Sequence, residues 1–151
     1  MRIYLDSCCL NRPFDDPRQE RIRIESFAIE RIMARIHAGD WMLVGSDALV
    51  LETLRNPDTA RRDAVLEMLE QSREWVPLTE SVQSLAGELA RLGVAEWDAF
   101  HLASASYAQV DVMLTVDDRL YRQARRLLRA DRTRVELPAA WLELPGKEIE
   151  Q

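Results

Sequence analysis

Two short apolar runs, each followed closely by an aspartate, constrain this chain more than any other feature. Ile3-Tyr4-Leu5 stops at Asp6, and Val112-Met113-Leu114-Thr115-Val116 leads to Asp117. An unbroken apolar run of this length suits a strand buried on both faces, as in a parallel sheet covered by helices. In open α/β sheets ligands bind beyond the carboxyl ends of the strands. Both aspartates are therefore expected at one binding edge.

Between these runs, helical and strand-like patterns alternate. Residues 7–17 carry two prolines and end in polar residues, which predicts a loop. From about Gln19 to Ala38 the spacing of Ile22, Ile29, Met33 and Ile36 predicts a helix, stopped by Gly39. Trp41 to Val44 reads as a strand closed by Gly45, and Ser46 or Asp47 then caps a short helix ending near Asn56-Pro57. On that helix Leu51 and Leu54 are core candidates, whereas Glu52 shares a face with Ala48 and Arg55.

A helix from about Thr59 to Arg73 leads to a strand, Trp75 to Leu78, whose Pro77 points to a sheet edge. Thr79 caps the next helix, with Val82, Leu85, Ala86 and Leu89 inward and Gly93 past its end. Another helix begins at Trp97-Asp98, with Asp98 at or near its cap. After the strand at Val112 to Thr115 come a basic helix, a short strand at Arg134 to Leu137 and a last turn from Pro138. This alternation predicts a three-layer α/β/α sandwich on a mostly parallel sheet of about five strands. One domain over residues 1–144 is expected, with a frayed tail at 145–151.

Composition narrows the class. The net charge of −6 argues against a simple basic glove for nucleic acid. The positive charge is nearly all arginine, clustered in part at Arg119, Arg122, Arg125, Arg126, Arg129, Arg132 and Arg134, either a solvated helix face or a set of phosphate-matched forks. The only cysteines, Cys8 and Cys9, are adjacent and cannot staple distant segments. No apolar run is long enough for a membrane span, and Asp6 interrupts any signal-like segment, so a cytoplasmic protein with no membrane association is expected.

The acids Asp6, Glu52, Asp98 and Asp117 stand out by position. If the strands are parallel, all four can converge on one edge. Their mutual repulsion would then call for a cation, and oxygen-binding divalent ions meet that need. Thr115 and Ser7 are candidates for orienting the ligands from behind. Each acid also has a structural reading: Asp98 and Asp117 as helix caps, Glu52 as a solvated residue, Asp6 in an Asx-turn. Capping accounts poorly for Asp6 and Glu52.

Tyr4-Leu5-Asp6-Ser7, Ser46 through Glu52-Thr53-Leu54, Asp98 through Ala105, and Leu114-Thr115-Val116-Asp117 together resemble the acidic motifs of PIN domains. The resemblance spans about Arg2 to Leu142. It implies an α/β/α sandwich and Mg²⁺- or Mn²⁺-dependent cleavage of RNA, with Asp6, Glu52, Asp98 and Asp117 in the metal-site roles. Many bacterial members of this size are VapC-type toxins, inhibited by an antitoxin and often homodimeric. Where the first motif commonly has Asn two residues after its Asp, this chain has Cys8, and Asn11 is the alternative amide. Asp117 is taken over Asp118 because it lies two residues after Thr115.

Arg12, Arg55, Arg119 and Arg122 are candidate RNA contacts. His101 reads either as a phosphate contact or as a hydrogen-bonded residue at a helix–sheet seam. Two rival functions remain at this point. One is a catalytically silent nucleic-acid-binding or regulatory module on the same fold. The other is an aspartyl-phosphate enzyme, which commonly needs a second acid where this chain has Cys8.

Overall fold

The computed structural model describes residues 1–128 and 133–144. Arg129 and Arg132 of the arginine cluster, and the tail at 145–151, lie outside the described residues. Five strands form the sheet: β1 (Arg2–Leu5), β2 (Met42–Ser46), β3 (Glu74–Val76), β4 (Val112–Leu114) and β5 (Val135–Glu136). Their order is β3-β2-β1-β4-β5 and every pairing is parallel, with Ile3 opposite both Leu43 and Val112. β1 is central. Its residues Ile3, Tyr4 and Leu5 have no exposed surface, which explains the unbroken apolar run.

Helices connect the strands: α1 (Ser7–Asn11), α2 (Glu20–His37), α3 (Asp47–Leu54), α4 (Thr59–Leu69), α5 (Glu80–Arg91), α6 (Glu96–Ala108), α7 (Asp118–Leu127) and α8 (Pro138–Leu142). Parallel connections favour right-handed crossovers, which would put the helices of the β1-β2-β3 half and those of the β4-β5 half on opposite faces, the arrangement an α/β/α sandwich requires. The chain moves one way from β1 to β3 and then returns past β1 to β4. The switch point therefore lies between β1 and β4, where such sheets open a binding crevice. Asp6 and Thr115 follow those two strands.

Several expectations need correction. Residues 7–17 do not form a plain loop: α1 and a 3₁₀ turn at Arg12–Phe14 occupy them, nucleated by Asp6 as N-cap and accommodating Pro13 in the first positions of the 3₁₀ turn. In α2, Ile32 is buried and Met33 is only partly so. Leu51 and Leu54 are 45% and 53% exposed, while Ala48, Leu49 and Thr53 face inward. α3 is apolar almost all round, so periodicity could not choose its buried face. α6 begins at Glu96 with Ala95 as its cap residue, and Asp98 lies in its first turn, near the cap as expected. β3 ends one residue before Pro77, at the edge of the sheet. Among the described residues, no helix is long and apolar enough to cross a membrane.

Candidate metal centre

Asp6 continues β1 by donating its backbone N–H to the Leu114 carbonyl at 3.1 Å. Its side chain then caps α1, Oδ1 accepting from the Cys9 amide at 3.2 Å. The Cys8 thiol donates to the same oxygen at 2.6 Å, and the Thr115 hydroxyl also bonds the carboxyl. Asp6 is only 2% exposed. Burial raises its pKa above the ordinary carboxylate value, against the pull of the Cys8, His101 and Thr115 contacts. The Cys9 thiol pulls Cys8 down most strongly, yet burial and the Asp6 charge hold the Cys8 thiol above its usual range. That keeps Cys8 a donor.

Thr115 follows β4 and ties two motifs together, its Oγ1 accepting from the Asp117 amide at 3.1 Å and lying 3.4 Å from the Cys8 sulfur. Asp117 caps α7, with Oδ1 accepting from the amides of Arg119 and Leu120 at 2.9 and 3.2 Å. Asp118 points elsewhere, paired with Arg21 of α2 at 2.8 Å. Capping thus accounts for Asp6 as well as Asp117, contrary to the expectation for Asp6, and it leaves each carboxylate further acceptor capacity.

Glu52 and Asp98 come from α3 and α6, which pack on each other. Glu52 is half-buried, and His101 Nε2 meets its Oε2 at 3.0 Å. On the other side of the ring, Nδ1 lies 2.8 Å from the Tyr4 hydroxyl, itself 2.8 Å from Ser46 Oγ. Ser46 caps α3 by accepting from the Leu49 amide. One consistent assignment has His101 Nε2–H donating to Glu52 and Tyr4 donating to Nδ1. Burial holds the Tyr4 hydroxyl protonated far above its usual range.

Asp98 registers the convergence. Its pKa is pushed up to about 6, first by burial and then by the charges of Asp6 and Asp117, with Glu52 adding to the rise and His101 opposing it. All three other acids therefore act on it. Their oxygens do not crowd together, however. Among the described residues, the one group of three ligand-bearing side chains with donor atoms mutually within 4.8 Å is Asp6, Cys8 and Cys9. Carboxylate oxygens around uncompensated negative charge fit a hard divalent ion that keeps several of its waters.

Other candidates fall differently. Ser7 turns to Asn11, whose amide donates to the Ser7 carbonyl at 2.8 Å and lies 3.3 Å from its hydroxyl, so Cys8 rather than Ser7 supports Asp6 beside Thr115. Arg12 is held by Asp15 at 3.0 Å, with Glu25 at 3.9 Å. Arg55 is exposed and lies over the Trp97 ring, 5.4 Å from its centroid. Arg119 and Arg122 are exposed on α7. Ser46 is the cap of α3, one of the two candidates the sequence offered, but sequence reasoning missed the bonds that Tyr4 makes to Ser46 and His101. The strand period of two, which puts Tyr4 and Asp6 on one side of β1, was the available signal for Tyr4.

A family model described as PIN domain matches residues 3–126. Comparison with curated proteins gives no match. Among solved structures, the chain is similar to the crystal structure of VapBC2 from Rickettsia felis bound to a DNA fragment from their promoter. The identity is 11%, the match covers 91% of this chain and 98% of that one, and the TM-score is 0.59. At that identity the likeness concerns the fold.

Proposed function

The chain belongs to the PIN domain family, and from that premise we propose that it is a divalent-metal-dependent endoribonuclease, the toxin of a toxin–antitoxin pair. The observation that supports this reading is the placement of Asp6 and Asp117 just beyond β1 and β4, with Glu52 and Asp98 on the packed helices α3 and α6; burial and the charges of the other three acids pull the Asp98 pKa upward in keeping with it. An acid cluster built at the switch point of a parallel sheet is costly unless a cation and an anionic substrate complete it. Asp6, Glu52, Asp98 and Asp117 would hold Mg²⁺ or Mn²⁺. When bound, such an ion supplies a water of lowered pKa and neutralises phosphate charge.

The chain's own groups divide the remaining work. Thr115 and Cys8 fix the Asp6 carboxyl. His101, held by Tyr4, fixes Glu52. Exposed Arg119 and Arg122 are suited to phosphate, with Arg55 at the opposite motif. No side chain is asked to form a covalent intermediate. An antitoxin, a homodimeric state and a cytoplasmic location belong to the same proposal, in keeping with the acidic-motif resemblance and the VapBC2 fold neighbour.

The test compares wild type with Asp6→Asn and Asp98→Asn on RNA, with Mg²⁺ or Mn²⁺ and with chelator. Cleavage is expected only from wild type with metal. Equal cleavage by all three proteins refutes the proposal. One observation favours a second reading, a silent nucleic-acid-binding module: Cys8 donates to the Asp6 oxygen, and no three of the four acids bring donor atoms within 4.8 Å. Calorimetric titration with Mn²⁺ separates the two, because a lapsed site gives no heat that depends on Asp6 and Asp98.

A further inference from the structure

Where the first acidic motif commonly carries an amide, this chain places a thiol against the aspartate. Cys8 Sγ lies 2.6 Å from Asp6 Oδ1 and 3.4 Å from Thr115 Oγ1. The Val116 amide, just past β4, donates to the same sulfur at 3.4 Å. Cys9 Sγ completes the group: among the described residues, Asp6, Cys8 and Cys9 are the one set of three ligand-bearing side chains with donor atoms mutually within 4.8 Å. Cys9 has no exposed surface and donates to the Leu114 carbonyl at 3.3 Å, whereas Cys8 is partly exposed. Cys8 is therefore the sulfur that an ion entering from solvent meets.

Donor type decides which ions such a place holds. Carboxylate and water oxygens suit Mg²⁺ and Mn²⁺, while a thiolate selects softer ions, Zn²⁺ among them. At a site of given N, O and S ligands, Zn²⁺ also binds more tightly than Mn²⁺. The Cys8 thiol can exchange its S–H···O bond to Asp6 for an ion shared between sulfur and carboxylate, its proton leaving to water. The Val116 N–H stays in place to support the charged sulfur.

We propose that Cys8 and Asp6 together form a site for a thiophilic divalent ion such as Zn²⁺, and that this ion excludes Mg²⁺ or Mn²⁺ from Asp6. This rests on the metal-site role given to Asp6 in the nuclease reading above, but not on RNA cleavage. The consequence is a chain silenced by soft metal, since the carboxylate that the hard ion needs is held together with a sulfur ligand that the hard ion does not favour.

The experiment titrates Cd²⁺, a thiophilic probe, into the reduced, metal-free full chain and follows the ultraviolet charge-transfer absorption of the Cd–thiolate bond. One equivalent should saturate the band in wild type. Cys8→Ser should abolish it, Cys9→Ala should keep it, and Asp6→Asn should weaken Cd²⁺ binding at least about 10-fold. X-ray absorption of the Zn²⁺-loaded wild type should show a single sulfur neighbour at about 2.3 Å with lighter ligands at about 2.0–2.2 Å, and it decides if Cys8→Ser does not fold. Calorimetric titration with Mn²⁺ is then run with and without one equivalent of Cd²⁺ already bound. The Asp6-dependent heat should vanish with Cd²⁺ in wild type and persist in Cys8→Ser. A band absent from wild type, kept by Cys8→Ser or lost in folded Cys9→Ala overturns the soft-ion site, as does Mn²⁺ heat that Cd²⁺ leaves unchanged; Asp6-dependent Mn²⁺ heat in the metal-free chain then leaves the nuclease reading standing. A Cd–thiolate band in a chain that gives no Mn²⁺ heat keeps the soft-ion site and removes both the competition and the nuclease reading.

Discussion

Replacing Asp98 by Asn should make the metal-free protein more stable at pH 8. An ordinary aspartate titrates near 3.8, and in the folded chain Asp98 is pushed up to about 6. The folded state thus holds this proton more tightly than the unfolded state. Stability contributed by the protonated form is present below about pH 4 and is lost as pH rises through about 6, after which the ionised carboxylate is a full burden. Without screening, the difference amounts to about 3 kcal/mol at 1.36 kcal/mol per pH unit. Asp98 is only half-buried and water reaches it, so about 1 kcal/mol is the expected net effect. For a chain of this size that corresponds to a Tm change of roughly 2–4 °C. The assay is thermal unfolding of wild type and Asp98→Asn in chelator, at pH 8 and again at pH 4. The variant should melt higher at pH 8, and the gap should close at pH 4. Adding Mn²⁺ at pH 8 should raise the Tm of wild type more than that of the variant. An Asp98→Asn protein that melts lower at pH 8, or shows the same gap at both pH values, would refute the electrostatic argument.

Three further outcomes follow from the same geometry. Tyr4→Phe strips a buried hydroxyl from Ser46 and from His101 Nδ1, and should cost about 1–3 kcal/mol in urea unfolding; a neutral result would mean that water replaces both contacts. His101→Gln should weaken Mn²⁺ binding about 10- to 100-fold by calorimetry, since Glu52 loses the partner that orients it. Gly45→Ala would put a Cβ 2.5 Å from Trp75 Cζ3 and 2.6 Å from Ser72 Oγ. A loss of about 1–3 kcal/mol is expected in thermal or urea unfolding, partly recovered when Trp75→Ala is added.

The strand-ending aspartates were legible because burial on both faces leaves an unmistakable pattern. Ile3 to Leu5 and Val112 to Leu114 are apolar without a break, and every residue in both runs is buried. The amphipathic helix α5 was equally legible, with Thr79 capping it and Val82, Ala86 and Leu89 turned inward. Residues 7–14 were misread because prolines and short polar residues favour turns in general. Here Asp6 supplies the N-cap that lets one helical turn form. Glu52 was placed on the right helix, but its face was not, since Leu51 and Leu54 are the more apolar residues and yet lie outside.

The amino-acid order alone determined the alternation of strand and helix, the single direction of the strands and the arrival of acids at their carboxyl ends. These follow from periodicity and connection length, which act over a few residues at a time. Tertiary structure decided which side of α3 faces α6, that His101 joins Glu52 to Tyr4, and that Cys8 rather than Ser7 touches Asp6. Those contacts join residues 49 and 97 positions apart as well as near neighbours. They exist only because the order of strand addition reverses beside β1, which brings α3, α6 and β1 to a common edge.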